Sequence, residues 1–479
     1  MRFIRLISLA SLGLWLAGCA IGPNYQQPEA NVPSRWHAQL PHGGKVNSLI
    51  DWWSQFDDPL LPELIRQAED VSPTLAQARA RIIQSRADVA AARNALLPSL
   101  SLSGSAARSG GGIMNQSGGN SASDAGILIP KQGKTSLDAS WEIDLFGGGR
   151  RANEAASARH EGAQAAWHDA RISLAAEIAQ RYVSLRACEG LLVDATTELE
   201  SLEKTTQLTR EKVNAGFGAP ADGALAEASR AGAATRVIGQ QAECDINIKA
   251  LVALTGQEET ALRIRLKPRF GKLPQPAALK VDELPVQVLS HRPDLVVAER
   301  ELAASSAEIG SAQSALLPRL SLTGSIGTQY LHSAGTTFKG SAWNFGPTLD
   351  LPIFDAGRRM ANVDAAKGRY DSALANYKMQ VRQAVREVEE ALVRLDSANR
   401  REIETRQASE GNGIACRAAE DRWQAGLASQ LELEEFRRLY ANARMQHLTV
   451  RQEAVSAWIA LYRAVGGGWN NLKKTEANK

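Results

Sequence analysis

The chain repeats itself. Residues 73–105 align without a gap on residues 293–325, and fifteen of those 33 positions are identical. The best-matched stretch sets Ala95-Leu96-Leu97-Pro98-Ser99-Leu100-Ser101-Leu102 against Ala315-Leu316-Leu317-Pro318-Arg319-Leu320-Ser321-Leu322. A second match pairs Phe146-Gly147-Gly148-Gly149-Arg150-Arg151 with Phe354-Asp355-Ala356-Gly357-Arg358-Arg359, and a third pairs Ala215-Gly216 with Ala425-Gly426. The offsets differ by a few residues, as loop-length changes between two copies of one ancestor would produce. A fixed period of self-similarity governs every later inference about architecture. The chain reads as a tandem duplication in which each copy runs helix, strand, loop, strand, long helix, turn, long helix.

Proline marks the boundaries. None occurs between Pro130 and Pro220, and none follows Pro352. A proline inside a helix costs about 3 kcal/mol, so long proline-free, Ala-rich stretches permit unbroken helices. The spans 148–215 and 357–425 predict helices of about 100 Å each at 1.5 Å per residue. Helices of that length exceed a globular domain and must pack laterally, as coiled coils or a tube.

Between Pro98 and Phe146, and between Pro318 and Phe354, the apolar period changes to two. Leu100, Leu102, Gly104 and Ala106 alternate with serines, and Leu137, Ala139, Trp141, Ile143 and Leu145 alternate with polar residues. Leu320, Leu322, Gly324 and Ile326 follow the same rule, as do Trp343, Phe345, Leu349, Leu351 and Ile353. One apolar and one polar face is the pattern of transmembrane β-strands, with a soluble half-buried hairpin as the alternative. Two hairpins cannot close a barrel alone, and an open edge is forbidden in lipid, so spanning requires oligomerisation. The Gly/Ser/Asn-rich stretch 107–133 predicts a long loop and 331–341 a shorter one.

The N-terminus speaks to compartment. Arg2 and Arg5 precede a mostly apolar run from Phe3 to Trp15, a secretory signal by length and flank and too short for a spanning helix. It ends in Leu16-Ala17-Gly18-Cys19, which resembles a bacterial lipobox. That resemblance implies cleavage before Cys19, an N-acyl chain and S-diacylglycerol on that residue, and, with Ala20 next, export to the outer membrane. No later segment holds the roughly 20 apolar residues of a spanning helix.

The net charge of +3, with both signs interspersed, leaves no nucleic-acid footprint. Catalytic motifs fail one by one. Gly133-Lys134-Thr135 lies in a hairpin at the wrong spacing from Gly126 for a phosphate loop, and no His-Glu-x-x-His or Gly-x-Ser-x-Gly occurs. The seven histidines are dispersed, with His160 and His168 eight apart on a long helix, and five methionines mark no copper route. The chain reads as no enzyme, without a metal or other cofactor apart from the lipid.

Four ordered segments then resemble the TolC-like outer membrane factor superfamily, in its NodT-type lipoprotein branch. They are Cys19-Ala20-Ile21-Gly22-Pro23-Asn24-Tyr25-Gln26-Gln27-Pro28, Trp52-Trp53-Ser54-Gln55-Phe56-Asp57-Asp58-Pro59-Leu60, Trp141-Glu142-Ile143-Asp144-Leu145-Phe146-Gly147, and His291-Arg292-Pro293-Asp294-Leu295 with Ala298-Glu299-Arg300. The resemblance implies a mainly α chain with a small transmembrane β part. It implies a homotrimer whose 12-stranded β-barrel continues as a long α-helical coiled-coil tunnel, with an equatorial band at about 257–290 and the C-terminal tail. It further implies outer-membrane lipid around the barrel, a periplasmic adaptor and an inner-membrane pump of the resistance-nodulation-division type as partners, and passive conduction of exported small molecules. The expected layout is a signal peptide at 1–18 and a lipidated wrapping segment at 19–60. The first repeat would occupy 61–280 (strands about 98–146, long helices about 148–256) and the second 281–466 (strands about 318–354, long helices about 357–466), followed by a tail at 467–479. A type I secretion duct and a non-conducting lipid-anchored periplasmic scaffold are the rival readings.

The turns near Gly216 and Gly426 would form the periplasmic tip, where glycine gives a left-handed helix end without steric cost. By resemblance the tip is both gate and adaptor-docking surface. Asp222 and Glu432 each follow their glycine by six residues; Glu432 and Glu435 fall where relatives carry acidic rings at the tunnel mouth, and rings of carboxylates select cations. Solvated helix-face acids are the alternative. Trp423 stands where a tyrosine is frequent and Ala428 where an arginine partner sits, so the tip is expected to close by packing more than by a salt bridge. Cys188 and Cys244 lie 28 residues before and after Gly216, at one height on a hairpin turning there. An oxidising periplasm then favours a disulfide, with two free thiols on the wrong faces as the alternative. Cys416 reads as a small core residue.

Overall fold

The computed structural model describes residues 20–28, 52–53, 55–108, 131–275, 289, 292–333 and 336–467. The signal segment, Cys19, most of the loop at 107–133, part of the expected equatorial band and nearly all of the C-terminal tail lie outside the described residues. Two compact units emerge: Met1–Pro28, Ile82–Gly162 and Ala298–Asn376 form one, and Glu29–Arg81, Ala163–Val297 and Tyr377–Lys479 the other. Each draws on both sequence copies.

The elements are α1 (Leu60–Val71), α2 (Pro73–Asn94), β1 (Ser99–Arg108), β2 (Lys131–Ile143), α3 (Gly148–Asn214), α4 (Pro220–Thr255), α5 (Glu259–Leu266), a 3-10 turn at Lys267–Arg269, α6 (Pro293–Ser314), β3 (Arg319–Ser333), β4 (Thr336–Asp350), α7 (Arg358–Gln424) and α8 (Gln430–Ala464). The succession α2-β1-β2-α3-α4 returns as α6-β3-β4-α7-α8. The two long helices have 67 residues each, with ends within one residue of the expected ones.

In the first unit the four strands form one antiparallel sheet in the order β1-β2-β3-β4. Its central pairing, from Lys131 opposite His332 to Ile143 opposite Leu320, joins the two copies. The register confirms two faces, since Leu102, Leu137, Ile326 and Trp343 lie side by side on one of them. Those apolar side chains are largely exposed in the single chain, Leu102 at 75% and Trp343 at 78%. The strands depart from expectation at their ends. The loop expected at 331–341 is mostly strand, because β3 runs to Ser333 and β4 resumes at Thr336 in a Thr-rich, β-favouring stretch. Leu145, Leu351 and Ile353 fall past the strand ends, where carboxylates start the next helices. Asp144 accepts from the backbone N–H groups of Gly149 (3.1 Å) and Arg150 (2.9 Å), and Asp355 from those of Gly357 and Arg359 (both 3.2 Å). A carboxylate at a helix start satisfies otherwise orphaned donors and favours the helix dipole.

The same unit seats the N-terminal strap. The Ile21 N–H donates to the Phe146 carbonyl (3.0 Å). Arg151, almost buried, donates to the carbonyls of Ile21 and Gly22 (both 3.3 Å), to Asn24 Oδ1 (2.7 Å) and to Glu154 (2.7 Å). Gly22 has φ +103°, and a Cβ there would lie 2.3 Å from the Gly310 Cα. A Cβ on Gly310 would in turn meet the Ile21 carbonyl oxygen at 2.5 Å, so only two glycines permit this approach. Tyr25 packs on a patch of alanines that includes Ala155, Ala303 and Ala307.

The second unit holds the main apolar core. Trp52 is 2% exposed and packs against Trp458 and Tyr462 of α8. Within this unit lies a buried polar network. Arg186, wholly buried, donates to Glu189 (2.7 Å), the Leu266 carbonyl (3.0 Å) and Tyr182 Oη (2.9 Å), and Tyr182 donates to Asp58 (2.6 Å). Burial holds the Tyr182 hydroxyl above its ordinary range, so it stays a donor. Removing one member of such a set strands the others' charges at a cost of about 3–5 kcal/mol. Arg186→Ala is therefore expected to lower the thermal unfolding midpoint sharply, whereas Arg186→Met combined with Glu189→Leu recovers part of the loss; circular dichroism melts of the purified protein check both.

Candidate functional site

The two long hairpins end in the same local structure. In the first, the Phe217 N–H reaches the Lys212 carbonyl (2.8 Å) and the Gly216 N–H the Val213 carbonyl (3.0 Å). In the second, Leu427 bonds Arg422 (2.8 Å) and Gly426 bonds Trp423 (3.0 Å) in the same pattern. Gly216 has φ +80° and Gly426 φ +73°, the left-handed values a Schellman helix end requires. Phe217 and Leu427, which follow the glycines, are exposed at 86% and 72%. The return helices start differently. Pro220 opens α4 without a side-chain cap, while the Ser429 hydroxyl accepts from the Glu432 N–H (3.1 Å) to cap α8.

The structure puts Asp222 in the first turn of α4 and Glu432 in the first turn of α8. Glu432 pairs with Arg422 (2.8 Å), and Glu435 takes a bidentate bond from Arg438 (2.7 Å). Among the described residues the three acids make no ion pair or hydrogen bond with one another. Such exposed pairs are screened by solvent and add little to stability. Trp423 is 7% exposed and packs with Ala419 and Leu433 in the core of the hairpin end, beside Ala428 and Phe436. The Lys212 ammonium lies 4.8 Å from its ring centroid, a cation–π contact.

Within one chain, charge as well as packing holds the two hairpins together near this end. Arg437, only 8% exposed, donates to Thr205 Oγ1 (2.8 Å) and Glu420 (2.9 Å) and pairs with Glu434 (3.4 Å). Gln430 donates to Glu434 (2.8 Å) and accepts from Thr209 (3.4 Å). Burial raises the Glu434 carboxyl above its ordinary range against the opposing pull of Arg437. Further along, Arg444 pairs with Asp194, Gln452 donates to Ser184 (3.4 Å) and Gln180 to Ser456 (3.0 Å). These contacts run antiparallel along α3 and α8 as a polar ladder. Gln430, Glu434 and Arg437 occupy the inward stripe of α8, and polar residues at core-facing spacing were the signal that could have revealed them.

Cys188 and Cys244 form a disulfide with Cα atoms 5.5 Å apart, and the Gln240 amide donates to the Cys188 carbonyl (3.2 Å). It staples α3 to α4 across 56 residues, a closure worth about 4 kcal/mol in the chain-entropy account. Cys416 is buried and free, and burial pushes its thiol up, which disfavours the reactive thiolate. Non-reducing peptide mapping should yield one linked peptide pair holding Cys188 and Cys244, with Cys416 alkylated only after unfolding; alkylation of Cys188 or Cys244 in the native protein would refute the staple.

A family model described as outer membrane efflux protein matches residues 64–257 and 284–467. The chain is 32% identical to outer membrane protein OprJ of Pseudomonas aeruginosa, over 97% of this chain and 96% of that one. It is 30% identical to nodulation protein T of Rhizobium leguminosarum bv. trifolii, over 99% of each. Among solved structures, the outer-membrane channel OprN superposes with a TM-score of 0.83 at 31% identity, covering 94% of this chain and all of that one.

Proposed function

The chain belongs to the outer membrane efflux protein family, and on that premise we propose that three copies close one twelve-stranded barrel whose helices continue it as a tunnel into the periplasm. It is a protein of the outer membrane, in a family of efflux channels rather than enzymes. The observation that carries the trimeric reading is the sheet itself. It has four strands, an exposed apolar face, and two edges, β1 and β4, without a partner among the described residues. In lipid each unpaired N–H or C=O costs several kcal/mol, so β4 of one copy must meet β1 of the next until the ring closes. The duplicated element order supports descent of each chain from one doubled unit, with the repeat boundaries expected from the sequence.

The acyl and diacylglycerol chains on Cys19 are part of this reading, and the seating of Ala20–Tyr25 on the first unit supports an anchor beginning next to it. Conduction is passive, with energy and cargo choice left to an inner-membrane pump of the resistance-nodulation-division type reached through a periplasmic adaptor. The tip turns at Gly216 and Gly426 form the docking and gating end. In a trimer Asp222, Glu432 and Glu435 become threefold sets of carboxylates at that mouth. The polar ladder between α3 and α8 suits a gate, because hairpins held by hydrogen bonds part with little exposure of apolar surface.

Purified protein should migrate as a heat-modifiable trimer and form channels in planar bilayers; a water-soluble monomer after removal of the acyl chains would overturn the channel reading. Glu432→Ala with Glu435→Ala is expected to raise single-channel conductance and weaken cation preference. Unchanged values for both would remove these acids from the gate.

A further inference from the structure

The strand register keeps every strand carboxylate off one face of the sheet, while the other face holds them together with Lys134 and Arg319. All the strand carboxylates, Asp138, Glu142 and Asp350, share the polar face with Ser101, Ser325 and Asn344. The apolar face carries none. Instead, at the strand ends away from the helices, it carries cations. Arg108, Lys131, His332 and Thr337 form one rung across all four strands, and Ala106, Gly133, Tyr330 and Lys339 the rung before it. Arg108 and Lys131 are directly opposed, an arrangement of like charges that destabilises a sheet pair unless something anionic lies between them. Among the described residues no carboxylate pairs with Arg108, Lys131 or Lys339, and all three are exposed. The His332 ring bonds the Thr337 hydroxyl at 2.9 Å within the same rung.

The height of these rungs places them at a membrane boundary. From Leu320 to Tyr330 the strand rises about 33 Å along its axis. Tilted by about 40°, that becomes roughly 25 Å, the height of the apolar band of an outer-membrane barrel. The cations therefore stand at the outer interface, with Tyr330 as the amphipathic ring that marks it. Between them and the last large apolar rung lies a rung of small, mostly hydroxylated residues, Gly104, Thr135, Thr328 and Ser341, which leaves room against the sheet and offers hydrogen bonds.

We propose that Arg108, Lys131 and Lys339, flanked by Tyr330 and His332, form a binding site for the phosphate groups of a phosphorylated glycolipid of the outer leaflet, whose sugar headgroup lies over the small-residue rung. Lysine and arginine recognise phosphate oxygens by charge-assisted hydrogen bonds, and an anionic headgroup relieves the opposed cations. The site rests on the reading that the apolar face meets lipid. It adds that the outer leaflet is bound specifically and not merely as solvent.

Native mass spectrometry of the detergent-solubilised full chain, titrated with diphosphoryl lipid A and with its dephosphorylated form, tests the proposal. The wild type should prefer the diphosphoryl form, and Arg108→Ser/Lys131→Ser/Lys339→Ser should bind it at least about tenfold more weakly. The preference should survive Lys131→Arg/Lys339→Arg and shrink as salt is raised, a readout that needs no variant. Equal wild-type binding of both forms, or full affinity in the triple serine variant, overturns the site. Bilayer conductance recorded on the same preparations separates the two failures: channels without phosphate preference sink the lipid site alone, and absence of channels in the wild type sinks the spanning reading.

Discussion

Everything in this chain answers to the backbone's demand for hydrogen bonds where water is absent. A four-stranded sheet with an apolar outer face satisfies its two inner strands and leaves β1 and β4 half satisfied. In water such edges would be bridged by solvent; in lipid they must be bridged by another copy. On the proposed reading, joining another copy is no late addition to a finished fold but a condition for having the sheet. The helices face the opposite problem. They satisfy their own backbones and need only lateral packing, which lets them run to 67 residues with only part of their length, around Tyr182 and Leu392, inside the apolar core.

The second unit shows how the chain divides apolar from polar adhesion. Around Trp52, Trp458 and Tyr462, and around the buried Arg186 set, packing and paired charge fix one arrangement. A charge as deep as Arg186 adds little net stability over an apolar substitute but tolerates few alternative geometries. Toward the hairpin ends the contacts between α3 and α8 become threonine, glutamine and arginine. Side chains of that kind exchange protein partners for water at small net change. The disulfide then makes the first hairpin stiff, while the second, which holds only the free Cys416, has no such staple among the described residues.

Much of this was legible in the residues. The repeat, the proline spacing and the glycines at 216 and 426 located the long helices and their turns to within a residue, because each depends on local backbone chemistry. Equal distances to a turn put Cys188 and Cys244 at one height, and only the packing of α3 on α4 fixes that they face each other. Strand ends were harder: alternation around Leu351 and Ile353 continues past the point where Asp355 begins α7, and hydropathy does not register a capping carboxylate. The polar contacts near the hairpin ends were hard to see for a related reason. Ala428 directed attention to a missing arginine at one position, while Arg437, nine residues further along the chain, supplies a buried charge that reaches Glu420 on α7 and Thr205 on α3. The inward stripe of Gln430, Glu434 and Arg437 marks a buried polar site, but spacing along one helix does not name the partner on another. The clasp of Gly22 on Gly310 was invisible for the same reason.

That clasp bears on the order in which the molecule assembles. Its first half, around Gly22, precedes its seat in the chain, since that seat is built from the β2–α3 junction and, further on still, from α6. Contacts of such large sequence separation form slowly, since the intervening chain must be ordered before closing the loop is rewarded. The strap can be fully seated only when both the β2–α3 junction and α6 stand in place. Its seating marks the completion of the protomer, much as a keystone reports that both sides of an arch are standing.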